Sequence, residues 1–181
     1  MNNLPELLLR VRDRAEQERG VLAPYVSEQD IADAEQALGF SRLPPLLRLL
    51  YLQVANGGFG PDCTLLPLVG DGRTAVAEYG PLRNTRSEYW PRGVLPILDW
   101  GCGMYAAVDC LAPDAPVLLF EPNAGPDQWA DARFLDSPSV AQWLISWLDG
   151  TGWWEEEVMM AEDGLQPTPW PDAARRLAAS V

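Results

Sequence analysis

The chain has 181 residues, carries a formal net charge of −13 and contains neither histidine nor lysine, so arginine supplies all 13 of its positive charges. These absences exclude a Ser-His-Asp or Cys-His mechanism within the chain, lysine Schiff-base chemistry and a phosphate-binding loop that depends on lysine. Hydrophobic residues make up 48% of the chain and 8 residues are tryptophan, which is typical of one folded globular domain at this length.

The excess negative charge is concentrated in the second half of the chain. Residues 93–163 contain 13 acidic residues and a single arginine, a net charge of −12 that leaves −1 for all other residues. A surface built from this half is expected to repel nucleic acid and to attract a basic partner. The alternative is that the acidic residues only keep the protein soluble.

Two amphipathic helices are predicted near the start of the chain. Apolar residues at i, i+3, i+4 and i+7 from Leu4 predict a helix over about residues 5–19. Ser27 and Asp30 resemble a capping box and predict a second helix, which ends at Gly39. A glycine follows each predicted helix, and glycine is the residue that most often ends one.

A third helix is predicted from Pro44-Pro45 to Asn56. It is apolar around most of its circumference, so we expect it to be buried. After it, short apolar runs of strand length predict strands at about residues 63–68, 94–100, 104–110 and 117–121. Residues 74–89 could hold a helix, interrupted at Gly80-Pro81.

The connection Gly101-Cys102-Gly103 predicts a tight hairpin, so the sheet should be at least partly antiparallel. A further helix is predicted from near Ser137, with Pro138 in its first position and two tryptophans packed on the sheet. Residues 152–181 are interpreted as an acidic, tryptophan-rich, loosely attached extension with a short helix over about residues 172–179. The predicted organisation is one α+β domain over residues 1–151, including the N-terminal helix, followed by this extension.

The sequence favours a cytoplasmic protein without a membrane partner. Residues 1–16 carry charges where a signal peptide needs an apolar stretch, and no segment approaches the roughly 18 apolar residues needed to cross a bilayer. The three cysteines, Cys63, Cys102 and Cys110, lack Cys-x-x-Cys spacing and are interpreted as reduced thiols.

Four short motifs in a fixed order carry a resemblance to a known family. They are Leu38-Gly39, Leu43-Pro44-Pro45, Asn56-Gly57-Gly58 and Asp99-Trp100-Gly101. This order resembles the SUKH superfamily over about residues 27–148, with Gly103 and the strand ending in Val108-Asp109 continuing the match. The resemblance implies an α+β fold with helices packed around a mixed, mostly antiparallel sheet.

The resemblance also implies binding rather than catalysis. Many bacterial members are immunity proteins that bind and neutralise toxins, often nucleases, while eukaryotic relatives are regulatory binding proteins. We therefore expect a non-enzymatic domain that binds a basic toxin, with no cofactor. The alternatives are a housekeeping regulatory scaffold of the same superfamily and, more remotely, a hydrolase that uses carboxylates alone. The oligomeric state stays open.

Two glycine-rich segments have both a functional and a structural interpretation. The segment Asn56-Gly57-Gly58-Phe59-Gly60-Pro61 could be a recognition loop, but a helix C-cap that directs the chain into the sheet is favoured. Residues 101–106 formally fit a dinucleotide-binding pattern, yet a strand is predicted where that motif needs a helix. The motif residues Asn56, Gly57, Gly58, Asp99, Trp100, Gly101 and Gly103 are therefore assigned a mainly structural role.

Candidate partner-binding residues lie in the acidic half. Asp127, Asp131 and Asp136 match no calcium-loop spacing, so solvated loop carboxylates are favoured over a metal site. Asp127 and Asp131 are kept as candidates for partner binding. The stretch Trp153-Trp154 followed by Glu155-Glu156-Glu157 combines aromatic anchors with an acidic rim, as protein interfaces do. The alternative is that both rings only attach the extension to the domain.

Overall fold

The computed structural model of the chain describes residues 3–39, 42–85, 89–123, 131–160 and 167–179. The helices are α1 (Leu4–Arg19), α2 (Glu28–Leu38), α3 (Pro45–Gln53), α4 (Ala75–Thr85), α5 (Val140–Leu148), α6 (Glu156–Met159) and α7 (Ala173–Ala178). The strands are β1 (Val94–Gly101), β2 (Met104–Asp109), β3 (Val117–Phe120), β4 (Arg133–Ser137) and β5 (Thr168–Pro169). The predicted α+β class is confirmed.

The strands form one sheet whose spatial order follows chain order, from β1 to β5. Every pairing between the described strands is antiparallel. The expectation of a mixed sheet is therefore wrong for this part of the chain. Short turns join β1 to β2 and β2 to β3, and a parallel neighbour would have needed a long crossover connection.

The predicted hairpin between β1 and β2 is present. Gly101 pairs with Met104, and residues Gly101, Cys102 and Gly103 have φ angles of 86°, 52° and 83°. Left-handed backbone in a two-residue loop matches the twist of the flanking strands and favours glycine. Because β2 follows directly, these glycines do not open the helix that a dinucleotide-binding turn requires.

The strand predicted at residues 63–68 does not form. One backbone hydrogen bond, from the Leu66 N–H to the Ile97 carbonyl at 2.8 Å, joins this segment to β1. Thr64 has a left-handed φ of 55°, and Pro67 has no N–H to donate. These two residues prevent a regular ladder, so the segment runs beside the sheet without belonging to it.

The helix predictions hold for α1, α2 and α3 and need correction for α4 and α5. The predicted capping box of α2 is present, since the Ser27 hydroxyl accepts from the Asp30 N–H and the Asp30 carboxylate accepts from the Ser27 N–H. Helix α4 continues through Pro81, because its packing on α2 and β1 outweighs the roughly 3 kcal/mol cost of an internal proline. Ser139, rather than Pro138, caps α5. None of the described helices has the length and apolar character that crossing a membrane requires.

The core is built between the helices and the centre of the sheet. Helices α1, α3 and α5 contact one another, while α4 contacts β1 and α5 contacts β4. The first five residues of β1 and all four residues of β3 are buried. Because neighbouring strand residues point to opposite faces, the centre of the sheet is covered on both sides.

Residues 152–160 and 167–179 are integrated into the fold. Trp154 and Trp170 are only 6% and 4% exposed, and β5 extends the sheet by pairing with β4. The expectation of a loose attachment is therefore wrong for the described residues, because two buried tryptophans contribute a large apolar contact area. The predicted terminal helix is present as α7, whereas the domain boundary at residue 151 stays a prediction.

Candidate functional site

Four tryptophans from three separate elements meet beside the sheet and form what we call the tryptophan cluster: Trp100, Trp143, Trp153 and Trp154. The Trp100 ring centroid lies 4.9 Å from that of Trp153 and 5.6 Å from that of Trp154, and Trp143 lies 5.5 Å from Trp154. Trp154 is buried, and Trp153 is partly buried. The Trp154 ring is thus not an exposed anchor, in line with the alternative that it attaches the C-terminal segment to the domain.

Gly152 allows the chain to reach the tryptophan cluster. This glycine is buried, and a Cβ atom at its position would collide with the Trp154 ring. The chain arrives there from the end of α5, where the Thr151 N–H donates to the Ser146 carbonyl at 2.9 Å. A side chain at residue 152 would push the indole out of the cluster.

Asp136, the penultimate residue of β4, places a carboxylate against the tryptophan cluster. It accepts a hydrogen bond from Trp143 Nε1 at 3.0 Å. Burial raises the pKa of Asp136 to about 6, and the Trp143 and Trp153 indoles only partly oppose this rise. The Trp153 N–H influences the carboxylate but lacks hydrogen-bond geometry, so it counts among the buried donors without a partner in the described structure. The interpretation of Asp136 as a solvated loop carboxylate is wrong, because a strand carries it inward.

A cavity of about 270 Å³, which we call the tryptophan pocket, opens beside this carboxylate. Its walls include Phe134, Asp136, Trp143, Ser146, Trp153 and Trp154. Its described lining combines indole rings, four hydroxyl-bearing residues and one partly buried carboxylate. Such a site suits a small positively charged group better than an anion.

The glutamates predicted as an acidic rim lie next to the tryptophan pocket in the chain. Glu155 accepts a hydrogen bond from Trp154 Nε1 at 3.1 Å, and Glu156 and Glu157 are exposed on α6. Met159 and Met160 follow them and are 53% and 79% exposed. Together these five residues, Glu155, Glu156, Glu157, Met159 and Met160, form what we call the α6 patch.

The two remaining candidate carboxylates are not part of this arrangement. Asp131 is exposed and precedes β4, at the opposite end of that strand from Asp136. Asp127 lies outside the described residues. No group of three His, Cys, Asp or Glu side chains in the described chain is arranged to hold a metal ion.

The Asn56-Gly57-Gly58 motif holds the irregular segment 63–69 in place. The Asn56 side chain accepts from the Leu68 N–H and donates to the Val69 carbonyl, both at 2.8 Å. Gly57 has a φ of 76°, and a Cβ atom there would lie 2.6 Å from the Pro67 nitrogen. These contacts are those of a structural motif, as the favoured interpretation expects.

Asp99 connects the end of β1 to α4. Its carboxylate accepts from the Gly101 N–H at 2.7 Å and forms an ion pair with Arg73. Arg73 also pairs with Glu78, whose pKa it lowers, while burial raises the pKa of Tyr105 to about 12. The family-motif aspartate therefore organises the hairpin and the start of α4.

A buried ion pair links β2 to the C-terminal helix. Asp109 is 3% exposed, and its carboxylate accepts from Arg176 at 2.7 and 3.1 Å. Arg176 also donates to the Arg92 carbonyl at 2.8 Å. No sequence pattern indicated this pair, since its members lie 67 residues apart.

Cys63 and Cys110 lack the features of an activated nucleophile. Cys63 and Cys102 are exposed and Cys110 is partly buried, each as a free thiol. Burial and nearby negative charge raise the pKa of the Cys63 thiol, and burial raises that of Cys110. A raised pKa reduces the fraction of the reactive thiolate.

The chain matches a known protein family over much of its length. Residues 25–146, more than half of the chain, match the model of the SMI1 / KNR4 family (SUKH-1). The matched segment includes Asp136 and Trp143 and ends before Trp153, Trp154 and the α6 patch. No curated protein matches the chain.

Proposed function

Because the chain belongs to the SMI1 / KNR4 family (SUKH-1), we propose that it is a non-catalytic, cytoplasmic immunity protein that neutralises a basic bacterial toxin, such as a nuclease, by direct binding. The family supplies the class of function, since the resemblance implies binding of another protein. Because the second half of the chain is acidic, we expect the partner to be basic.

The observation that carries this proposal is the α6 patch. None of the ion pairs among the described residues includes Glu155, Glu156 or Glu157. Their charge is therefore available to attract a basic surface. Met159 and Met160 add exposed, adaptable apolar area beside that charge, a combination typical of protein interfaces.

The chemistry of the chain supports binding over catalysis. The chain has no histidine or lysine, and among the described residues that line the tryptophan pocket Asp136 is the single carboxylate. Carboxylate-dependent hydrolysis requires two acidic groups that flank the substrate. The remote hydrolase alternative lacks the second group in the described part of this cavity.

The test is capture of proteins from lysate of the source organism on the immobilised chain at low and at moderate salt, followed by co-expression with the captured protein. We expect one basic protein at a 1:1 ratio, weaker retention as salt screens the charges, and suppression of its toxicity. Capture of a non-toxic endogenous regulator would replace the immunity function by the regulatory scaffold. Capture of nothing would refute the proposal.

Variants locate the interface once the partner is known. The double variant Glu156→Gln/Glu157→Gln is expected to slow association about tenfold at low salt, because exposed charges mainly steer the encounter. The matched control Glu6→Gln/Asp33→Asn removes two exposed charges from α1 and α2 and should change the rate less than about twofold. Equal effects of the two double variants would show that net charge, rather than the α6 patch, attracts the partner.

A further inference from the structure

The tryptophan pocket contains an anion for which the described chain supplies no cation. None of the ion pairs formed by the described residues includes Asp136. Among the described residues, the neutral Trp143 indole donates a hydrogen bond to this carboxylate. A partly buried carboxylate held this way is costly, whereas the more deeply buried Asp109 has Arg176 as its partner.

The walls of the pocket favour a cation as the missing partner. Three of the four clustered tryptophans, Trp143, Trp153 and Trp154, line it, and indole is the aromatic side chain that attracts cations most strongly. The carboxylate is partly shielded from water in the folded protein. A cation that enters therefore gains a strong attraction without paying again to desolvate Asp136.

We propose that the tryptophan pocket receives the guanidinium group of an arginine side chain of the partner protein, with Asp136 as its counter-ion and the indoles as its walls. This inference rests on the proposed function, since it names the group by which the partner is held. Guanidinium is planar, stacks on aromatic rings and donates two parallel hydrogen bonds to a carboxylate. An ammonium group is a strongly hydrated point charge and fits such walls less well.

The size and position of the pocket agree with this occupant. A volume of about 270 Å³ is just below the roughly 300–1,000 Å³ typical of pockets for small organic ligands, and it suits a single long side chain. The α6 patch begins at Glu155, which accepts a hydrogen bond from Trp154 of the pocket wall, and its charge attracts basic surfaces to this part of the molecule.

The proposal is tested with the blocked tripeptide acetyl-Gly-Arg-Gly-amide and two analogues in which citrulline or lysine replaces arginine. Indole N–H resonances of the full chain, assigned through single Trp→Phe variants, are followed during titration to about 50 mM peptide, which detects a contact of millimolar affinity. We expect saturable shifts of the Trp143 and Trp153 resonances with arginine. Citrulline keeps the shape but lacks the charge and should bind at least about tenfold more weakly.

Asp136→Asn should abolish the resonance shifts caused by the arginine peptide, because the amide carries no charge. The amide oxygen still accepts from Trp143, so the local hydrogen bond is kept. Asp33→Asn, the same substitution on the exposed face of α2, should leave the peptide Kd within about twofold. Absence of saturable shifts, equal binding of the citrulline peptide, or unchanged binding to Asp136→Asn would each overturn the proposal.

Failure of this inference can be distinguished from failure of the proposed function. If Asp136→Asn captures the protein partner as well as the unmodified chain does, the pocket is not the arginine site and the proposed function stands. If the pocket binds the arginine peptide as expected but no protein is captured, the pocket chemistry stands and the proposed function fails.

Discussion

Asp136→Asn should make the protein more stable near neutral pH, even as it removes the proposed counter-ion. In the folded chain burial raises the pKa of Asp136 from 3.8 to about 6, so the folded state holds this proton more tightly than the unfolded state does. The contribution of Asp136 to the free energy of unfolding therefore decreases as pH rises from 3.8 to about 6, and the decrease is complete above that range. A shift of roughly two pKa units corresponds to a cost of about 3 kcal/mol.

The neutral asparagine removes this cost and keeps an oxygen that accepts from Trp143. We expect the variant to exceed the unmodified chain in free energy of unfolding by about 3 kcal/mol at about pH 7.5, and by only about 1 kcal/mol at about pH 4.5. Urea denaturation followed by circular dichroism at both pH values measures the difference in free energy of unfolding between the variant and the unmodified chain. The titration of all other groups affects both proteins equally and cancels in this difference. The exposed Asp33→Asn variant serves as the matched control for the loss of one negative charge.

The reasoning fails if the stability difference between Asp136→Asn and the unmodified chain is the same at both pH values. That result would mean that the carboxylate keeps its ordinary pKa and is therefore well solvated. An Asp136→Asn variant that is less stable than the unmodified chain at about pH 7.5 would also contradict this reasoning. The charged Asp136 carboxylate would then be stabilised by a partner in the folded protein.

Three further variants test other parts of the structure. Arg176→Met should lower the free energy of unfolding, measured by urea denaturation, by about 3–5 kcal/mol because it leaves the buried Asp109 carboxylate without a counter-ion. The double variant Arg176→Met/Asp109→Asn should regain most of this stability. An equal loss in the single and the double variant would refute the ion-pair argument. Gly57→Ala should lower the free energy of unfolding by about 2–5 kcal/mol, since its Cβ atom collides with backbone and its φ is unfavourable for alanine. Gly58→Ala meets no neighbouring atom and should lower it by only about 1–2 kcal/mol. Similar melting temperatures for the two variants would contradict the predicted collision at residue 57. Trp154→Ala should lower the stability by about 3–5 kcal/mol and shift the emission of the neighbouring indoles; an unchanged melting temperature would instead favour a ring that serves only a partner.

Features with local signals could be predicted from the sequence. The capping residues Ser27 and Asp30 start α2 by contacts within one turn. The glycines at residues 101 and 103 favour the left-handed backbone of the tight turn in which they lie. The four family motifs are likewise contiguous, and the family match over residues 25–146 confirms the resemblance drawn from them. In each case the residues that determine the structure lie next to one another in the chain.

Features set by distant contacts could not be predicted. Pro81 should interrupt a helix by its own chemistry, yet the packing of α4 keeps the helix continuous. Asp136 carries no local sign of burial, because β4 is short and its carboxylate becomes enclosed only when Trp153 and Trp154 return from beyond α5. The ion pair of Asp109 with Arg176 joins two residues with no shared pattern.

This ion pair also sets an order of events during synthesis. Asp109 enters β2 early, but its counter-ion is made 67 residues later, which is about 3–13 s at 5–20 residues per second. During that interval a closed β2 would enclose an unbalanced charge, so the finished arrangement of the sheet is disfavoured until Arg176 has been made. The sheet of this domain is therefore completed only after a residue that lies 30 positions beyond the end of the family-matched segment, at residue 146.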